Sequence, residues 1–309
     1  MTSRLRRIVL RANETIAAIP AIARLWVRLV GAVSRPLPNA YLRAAIFNHM
    51  ASARWPAMEL PPREVTPVRG FTACIIPHIG EPDFRALFDR ELNYERAVFE
   101  WLRERRYRTI FEVGANVGIY TLFLSRLLEP GGKMYAFEPS PEAFHRLLRN
   151  LRLNRADDVI PMQCAIAGES GLIRFYEPEG HLTNGSLLRD FAASFDDRVS
   201  IRTSLALGGA ALGELVESGP VLIKIDAEGA EELILRSMES LIERWRPDIV
   251  LEVLPRFEQG LNSISFLRRC GYRFFALTAD GPIEQSCFAA GSSNERDYVL
   301  VSRDSARPE

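Results

Sequence analysis

FEVGANVGIYTLFLSRL, Phe111 to Leu127, passes from an apolar strand through a glycine loop into an amphipathic helix without a break. Nucleotide-binding α/β folds begin in this way. Glycines let the chain turn tightly and bring its backbone close to a ligand, and ligands of open parallel sheets bind beyond the carboxyl ends of the strands. A dinucleotide site would show G-x-G-x-x-G, with a helix N-terminus free for pyrophosphate. Here the spacing is Gly114-x-Asn116-x-Gly118, with Glu112 two residues before the first glycine. A carboxylate at that point repels pyrophosphate and suits a cation. Taken alone, the loop could equally be a tight strand–helix turn.

The residues downstream narrow the choice. KMYAF (133–137) reads as a second strand and ends in Glu138, 20 residues past Gly118. An acid there can accept hydrogen bonds from both ribose hydroxyls of an adenosyl ligand, and NAD would use the same acid. VIPMQC (159–164) reads as a third strand. It leads into Cys164 and Ala165, where small side chains suit a flat adenine, although Cys164 could equally be a core thiol. VLIKID (221–226) is a fourth strand, and it leaves through the densest polar cluster of the chain, Lys224-Ile-Asp-Ala-Glu-Gly-Ala-Glu231. Carboxylates gathered at a strand end are expensive to desolvate without a task. Asp226 is placed to touch cofactor, substrate or both, and Glu228 to act as base or substrate ligand. Glu231 opens the next helix, where an acid suits the macrodipole. S-adenosylmethionine, with its ammonium and sulfonium, fits a loop preceded by Glu112.

Three of these stretches in this order, FEVGANVGIYTL, YAFEPSPEAFHRLLRNLRLN and IKIDAEGAEELILRSM, resemble the FkbM-type methyltransferases, a branch of the class I S-adenosylmethionine-dependent fold. The resemblance spans about Phe111 to Val253; Glu112 stands where the family more often has aspartate. It implies a Rossmann-like α/β fold with a mostly parallel seven-stranded sheet and an antiparallel last strand. It also implies a cofactor held by Gly114, Asn116, Gly118 and Glu138, and O-methylation of a hydroxyl on a sugar, glycan or natural product.

The periodicity beyond the loop agrees with that fold. Helical spacing is expected over 93–106, from Val117 to Leu128, from Pro141 to Leu153 behind Ser140 as N-cap, from about Ala230 to Ile242, and from Ser263 to Cys270. DIVLEV (248–253) reads as a fifth strand. YRFFAL (272–277) and DYVLVS (297–302) add two late strands, expected to form an antiparallel hairpin at the edge. Residues 168–208 break the alternation and read as an insertion or lid. It carries His181, a candidate lid residue above the acceptor that could equally be an exposed loop histidine.

Residues 1–69 read as a basic helical extension ending in a linker with Pro56, Pro61, Pro62 and Pro67, and residues 70–309 as the methyltransferase domain. Residues 1–50 carry eight arginines against one acid, Glu14; they suit an anionic membrane surface or a partner, or equally an ordinary helical extension whose arginines face water. Arg24 and Arg28 interrupt the apolar run from Ile16 to Val33, so a spanning helix is not expected. Across 309 residues, 39 basic and 39 acidic side chains balance, which argues against nucleic-acid binding. Four scattered cysteines give no zinc spacing and fit reduced thiols in a cytoplasmic protein. Asp226, Glu228 and Glu252 could converge on a divalent ion, but no ligand spacing demands one and no metal is expected. The rival reading, a nicotinamide-dependent oxidoreductase, is opposed by Asn116 and by the absence of a Tyr-x-x-x-Lys pair. A non-catalytic scaffold would not need intact cofactor motifs.

Overall fold

The computed structural model describes residues 13, 15–51, 58–79, 81–92, 95–179, 181–289 and 296–302. The chain divides into two units, Met1–Tyr94 and Glu95–Glu309. In the first, α1 (Pro20–Ser34) opens on a proline, tolerated where a helix N–H has no partner. It is followed by α2 (Ala40–Ala51) and by β1 (Met58–Glu59), β2 (Arg63–Val68), β3 (Phe71–Ile75) and β4 (His78–Ile79). β2 pairs antiparallel with β3, and β1 with β4. The stretch expected as a proline-rich linker is therefore partly strand. Pro67 sits within the register shift between Val65 and Val68, where a missing N–H breaks no ladder bond. The expected boundary at 69/70 falls inside this hairpin, whose pairing ties 63–68 to 71–75; the division lies at 94/95.

The second unit runs α3 (Arg96–Leu102), β5 (Tyr107–Val113), α4 (Ile119–Leu124), β6 (Leu128–Phe137), α5 (Pro141–Asn154) and β7 (Val159–Met162). The insertion contributes β8 (Ala165–Ala167), β9 (Gly171–Pro178), α6 (Arg189–Ala193) and β10 (Val199–Gly208). The chain returns through β11 (Val221–Ile225), α7 (Glu231–Ser237), α8 (Glu239–Trp245), β12 (Asp248–Glu252), α9 (Glu258–Asn262) and α10 (Ser265–Arg269). It ends in β13 (Tyr272–Thr278), β14 (Gly281–Gln285) and β15 (Asp297–Ser302). The main sheet has the order β14-β13-β15-β12-β11-β5-β6-β7. β7, β6, β5, β11 and β12 are parallel, and β15 runs against both β12 and β13. This is the expected Rossmann-like α/β sheet with a reversed last strand, enlarged by an eighth strand. The two late strands pair antiparallel as expected, β13 with β15, but β15 lies inward between β13 and β12, and the edge itself is β14, which pairs with β13. GPIEQ is almost wholly exposed, so it carries no apolar pattern from which a strand could be read.

Every residue of β11 and six of the seven in β5 are buried, as strands covered on both faces require. Phe111 stacks on Tyr135 at 5.5 Å and on Phe137 at 6.5 Å between ring centroids. The helix expected from Ala230 to Ile242 is two, broken at Met238. Ser140 caps α5 as expected, its Oγ accepting from Ala143 N at 3.4 Å. The insertion is largely a second sheet, in which β10 pairs antiparallel with β9 and parallel with β8. LIRFYEP, a possible strand in the sequence, is β9; β10 was not expected, and most of it faces water, Ile201 and Leu205 included.

Phe111 is fully buried beside these two rings, so Phe111→Ala is expected to cost about 3–5 kcal/mol in urea unfolding. A loss below about 1 kcal/mol would mean that the sheet closes over the gap.

Candidate active site

The first loop leaves β5 at the carboxyl edge of the sheet, and two close approaches shape it. Gly114 has φ +82, and a Cβ there would run into the carbonyl oxygen of Asp226. Asp226 N donates to Val113 O at 3.0 Å, so the loops after β5 and β11 are in backbone contact. Gly118 has φ +90 and faces Leu147 of α5, leaving no room for a side chain. Asn116, between them, has φ +49, a left-handed conformation that asparagine tolerates better than most residues. That is one reason an asparagine can stand where a dinucleotide fingerprint would put glycine.

Glu138 is buried beside this loop. Its Oε2 accepts from Asn116 N at 2.7 Å and its Oε1 from Ser140 N at 2.8 Å. Burial pushes the carboxyl up to about 7, against these two N–H donors, which favour the charged form. Ser140 Oγ also donates to Glu177 of β9, and Arg202 of β10 pairs with the other Glu177 oxygen. The insertion sheet is thus bonded to the loop that orients Glu138.

Lys224 is the cation at the centre. Its side chain is 4% exposed; its Nζ donates to Asp226 Oδ2 at 3.0 Å and lies 4.3 Å from the centroid of the Tyr120 ring. Burial opposes its charge, but Asp226, Glu112 and Glu95 outweigh that and hold the ammonium above its ordinary range. Glu112 pairs in register with Lys224 across β5–β11 and is wholly buried. Neither of its oxygens makes a hydrogen bond of good geometry among the described residues, but the buried Thr121 hydroxyl lies near enough to favour the charged form. Burial pushes it up to about 7, while Lys224 pulls it down. Tyr120 OH donates to Glu95 at the start of α3, and its ring stacks on Phe99 at 4.5 Å.

Further carboxylates converge beyond Asp226. Burial, then Asp226 and Glu252, push Glu228 up to about 9; burial, then Asp226 and Glu95, push Glu252 up to about 8. Asp297 opens β15 opposite Glu252 and is raised well above its ordinary value by burial, Glu95 and Glu252. Glu228 holds a left-handed φ of +53, a strained conformation of the kind that clusters at sites. Glu231 is better read as a brace: its Oε1 accepts from Ala227 N at 2.9 Å and Gly229 N at 3.2 Å, closing the turn below Glu228. Ser186 Oγ of the insertion donates to Glu228 O at 2.8 Å. Among the described residues, no group of three His, Cys, Asp or Glu side chains is disposed to hold a metal ion.

Residues 112–274 match the model of the methyltransferase FkbM domain. The chain belongs to that family. Among its relatives are the hexuronic acid methyltransferase AglP of Haloferax volcanii, 31% identical over 161 residues, and the 31-O-demethyl-FK506 methyltransferase FkbM of Streptomyces tacrolimicus, 30% identical over 171. These alignments take in 50% and 55% of this chain and 60% and 63% of the relatives' own lengths, so the chain spans under two thirds of either. A methyltransferase FkbM from Methylobacillus flagellatus KT superposes with a TM-score of 0.42 at 14% identity, over 71% of this chain and 54% of that one. So loose a superposition bears on no residue's role.

Within this FkbM-family unit, Glu112, Gly114, Asn116, Gly118, Glu138, Asp226 and Glu228 gather at the carboxyl edge of the sheet. Ala165 does not stand at the end of the third strand: β7 stops at Met162, and Ala165 begins β8, buried with Ala167 and Ala206. Cys164 is a buried thiol pushed up to about 11, as its core reading requires. His181 is exposed in the insertion, its ring 6.1 Å from that of Phe195, and no hydrogen bond joins it to Asp226 or Glu228 among the described residues. Sequence reasoning missed Glu95, Tyr120, Asp297, Glu177 and Ser186. Glu95 and Asp297 lie outside the stretch that carries the family match.

Five glutamates, 112, 138, 231, 252 and 228, sit at about 7 to 9 against an ordinary 4.5. An acid raised on folding binds its proton more tightly in the folded chain, so its contribution is complete below the unfolded value and is lost as pH rises through the folded one. The melting temperature of the ligand-free protein is therefore expected to fall between about pH 5 and pH 9, with Glu228→Gln flattening the upper end. A level profile in scanning fluorimetry would show that these carboxyls ionise at no cost to the fold.

Proposed function

We propose that the chain is an S-adenosylmethionine-dependent O-methyltransferase acting on a hydroxyl of a sugar, glycan or natural product. One observation carries the reading: buried carboxylates crowd the edge of the sheet around a single buried lysine, beside a glycine loop and a ribose acid. Such a site lacks positive charge. Glu112, whose buried oxygens have only the Thr121 hydroxyl nearby, and Asn116 Oδ1 are buried acceptors at this edge. A donor carrying an ammonium and a sulfonium fits them, and a pyrophosphate does not.

When bound, S-adenosylmethionine supplies a methyl group on a positively charged sulfur. Glu138 is oriented to accept from ribose hydroxyls, because backbone N–H groups hold both its oxygens in place. Glu112 is placed for the ligand's ammonium. Lys224 pins Asp226, which suits it to positioning donor and acceptor. The acceptor oxygen forms a bond to the methyl carbon as the carbon–sulfur bond breaks, and its proton must leave. Glu228, held high by burial and then by Asp226 and Glu252, is the better proton acceptor once ionised, and a cation bound nearby favours that ionisation. By their names, the relatives methylate a hexuronic acid and 31-O-demethyl-FK506; a hexuronic acid carries hydroxyls, and the second name specifies an oxygen.

Glu138→Ala is expected to lower S-adenosylhomocysteine affinity roughly 10- to 100-fold in calorimetry and, by stripping the acceptor from the Asn116 and Ser140 N–H groups, to lower the melting temperature modestly. Asp226→Ala should abolish transfer of labelled methyl to a responsive acceptor from a panel of sugars and hydroxylated macrolides. Unaltered affinity in the first variant, or near-native turnover in the second, would refute the assignment of that residue.

A further inference from the structure

α1 has two apolar faces, and among the described residues only one of them is buried. Ala23, Val27, Gly31 and Ser34 recur every three or four residues and are buried. Ile22, Leu25, Trp26, Leu29 and Val33 recur at the same interval around the other side and stand in water, Leu25 at 59% and Val33 at 69% exposure. At about 100° per residue, Arg24 and Arg28 fall along one border between the faces, and both are exposed. No acid occurs between Glu14 and Glu59.

We propose that this outward face docks the protein on an anionic lipid bilayer. Large apolar side chains, a tryptophan among them, in a row flanked by arginines suit the boundary between acyl chains and headgroups. Arginine stems can lie along the apolar layer while their heads reach lipid phosphate. Charge complementarity selects the negative surface: residues 1–50 hold eight arginines and one acid, in a chain that is neutral as a whole. The geometry is that of a helix lying in the plane. α1 has 15 residues, about 22 Å of helix, short of a hydrocarbon core of about 30 Å. Among the described residues, no helix is long and apolar enough to cross a membrane. This inference does not depend on the methyl-transfer reading.

Co-sedimentation of the full chain with phosphatidylcholine vesicles, with and without phosphatidylglycerol, tests it. Binding is expected to phosphatidylglycerol vesicles, to weaken with salt, and to be slight on phosphatidylcholine alone. Leu25→Glu with Leu29→Glu should abolish it, and Arg24→Ala with Arg28→Ala should reduce it about tenfold or more. All four side chains are exposed, so circular dichroism and melting should match the parent. No binding to anionic vesicles, equal binding to neutral ones, or binding that survives the paired glutamates would overturn the proposal. So would a vesicle-free dimer that the paired glutamates dissociate, which would make the face a protein interface.

Discussion

The ammonium of Lys224 holds the carboxyl edge of the sheet together. It is buried on the central strand, hydrogen-bonded to Asp226, opposite Glu112 and against the face of Tyr120. An isolated charge could not stay ionised at that depth. Here the surrounding carboxylates stabilise the cation, and the cation lets at least some of them ionise. Removing one member of such a buried arrangement commonly costs about 3–5 kcal/mol, because the others are left uncompensated. The cluster is still rich in acid, and burial first, then that excess, raises the carboxyl pKa values.

Geometry transmits this constraint outward. Gly114 lies against the Asp226 carbonyl, so the glycine loop and the acidic turn can move little with respect to each other. Asn150 of α5 donates to Val117 O at 2.8 Å and braces the loop from behind. The insertion is joined to the same edge twice, through Ser186 to the backbone of Glu228 and through Glu177 to Ser140. A segment that looks like a free lid in the sequence is in fact a small sheet bonded to the turn and the loop on which the proposed chemistry depends.

Much of the fold and half of the site were legible in the amino-acid order. Gly114, Asn116 and Gly118 constrain their own φ values, and Glu138 and the Lys224–Glu231 run sit at strand ends, so local spacing alone marked them. The parallel strands announced themselves because burial on both faces demands near-continuous apolar runs. β14 and β10 escaped notice because they are exposed, and an exposed strand needs no such run. Ala165 was assigned one strand too early because a two-residue break after Met162 leaves no mark in composition.

The sequence by itself determined the class of fold, the glycine loop, the buried acid after the second strand and the acidic turn, because each is a local run whose backbone conformation or burial its own residues dictate. Tertiary structure alone decided that Glu95 and Asp297, about 200 positions apart, would share the field of Asp226 and Lys224. It also decided that Glu231 would brace a turn rather than face a ligand, and that His181 would stand apart from the carboxylates. Those outcomes rest on which distant strands become neighbours, and electrostatic coupling follows distance in space rather than order along the chain.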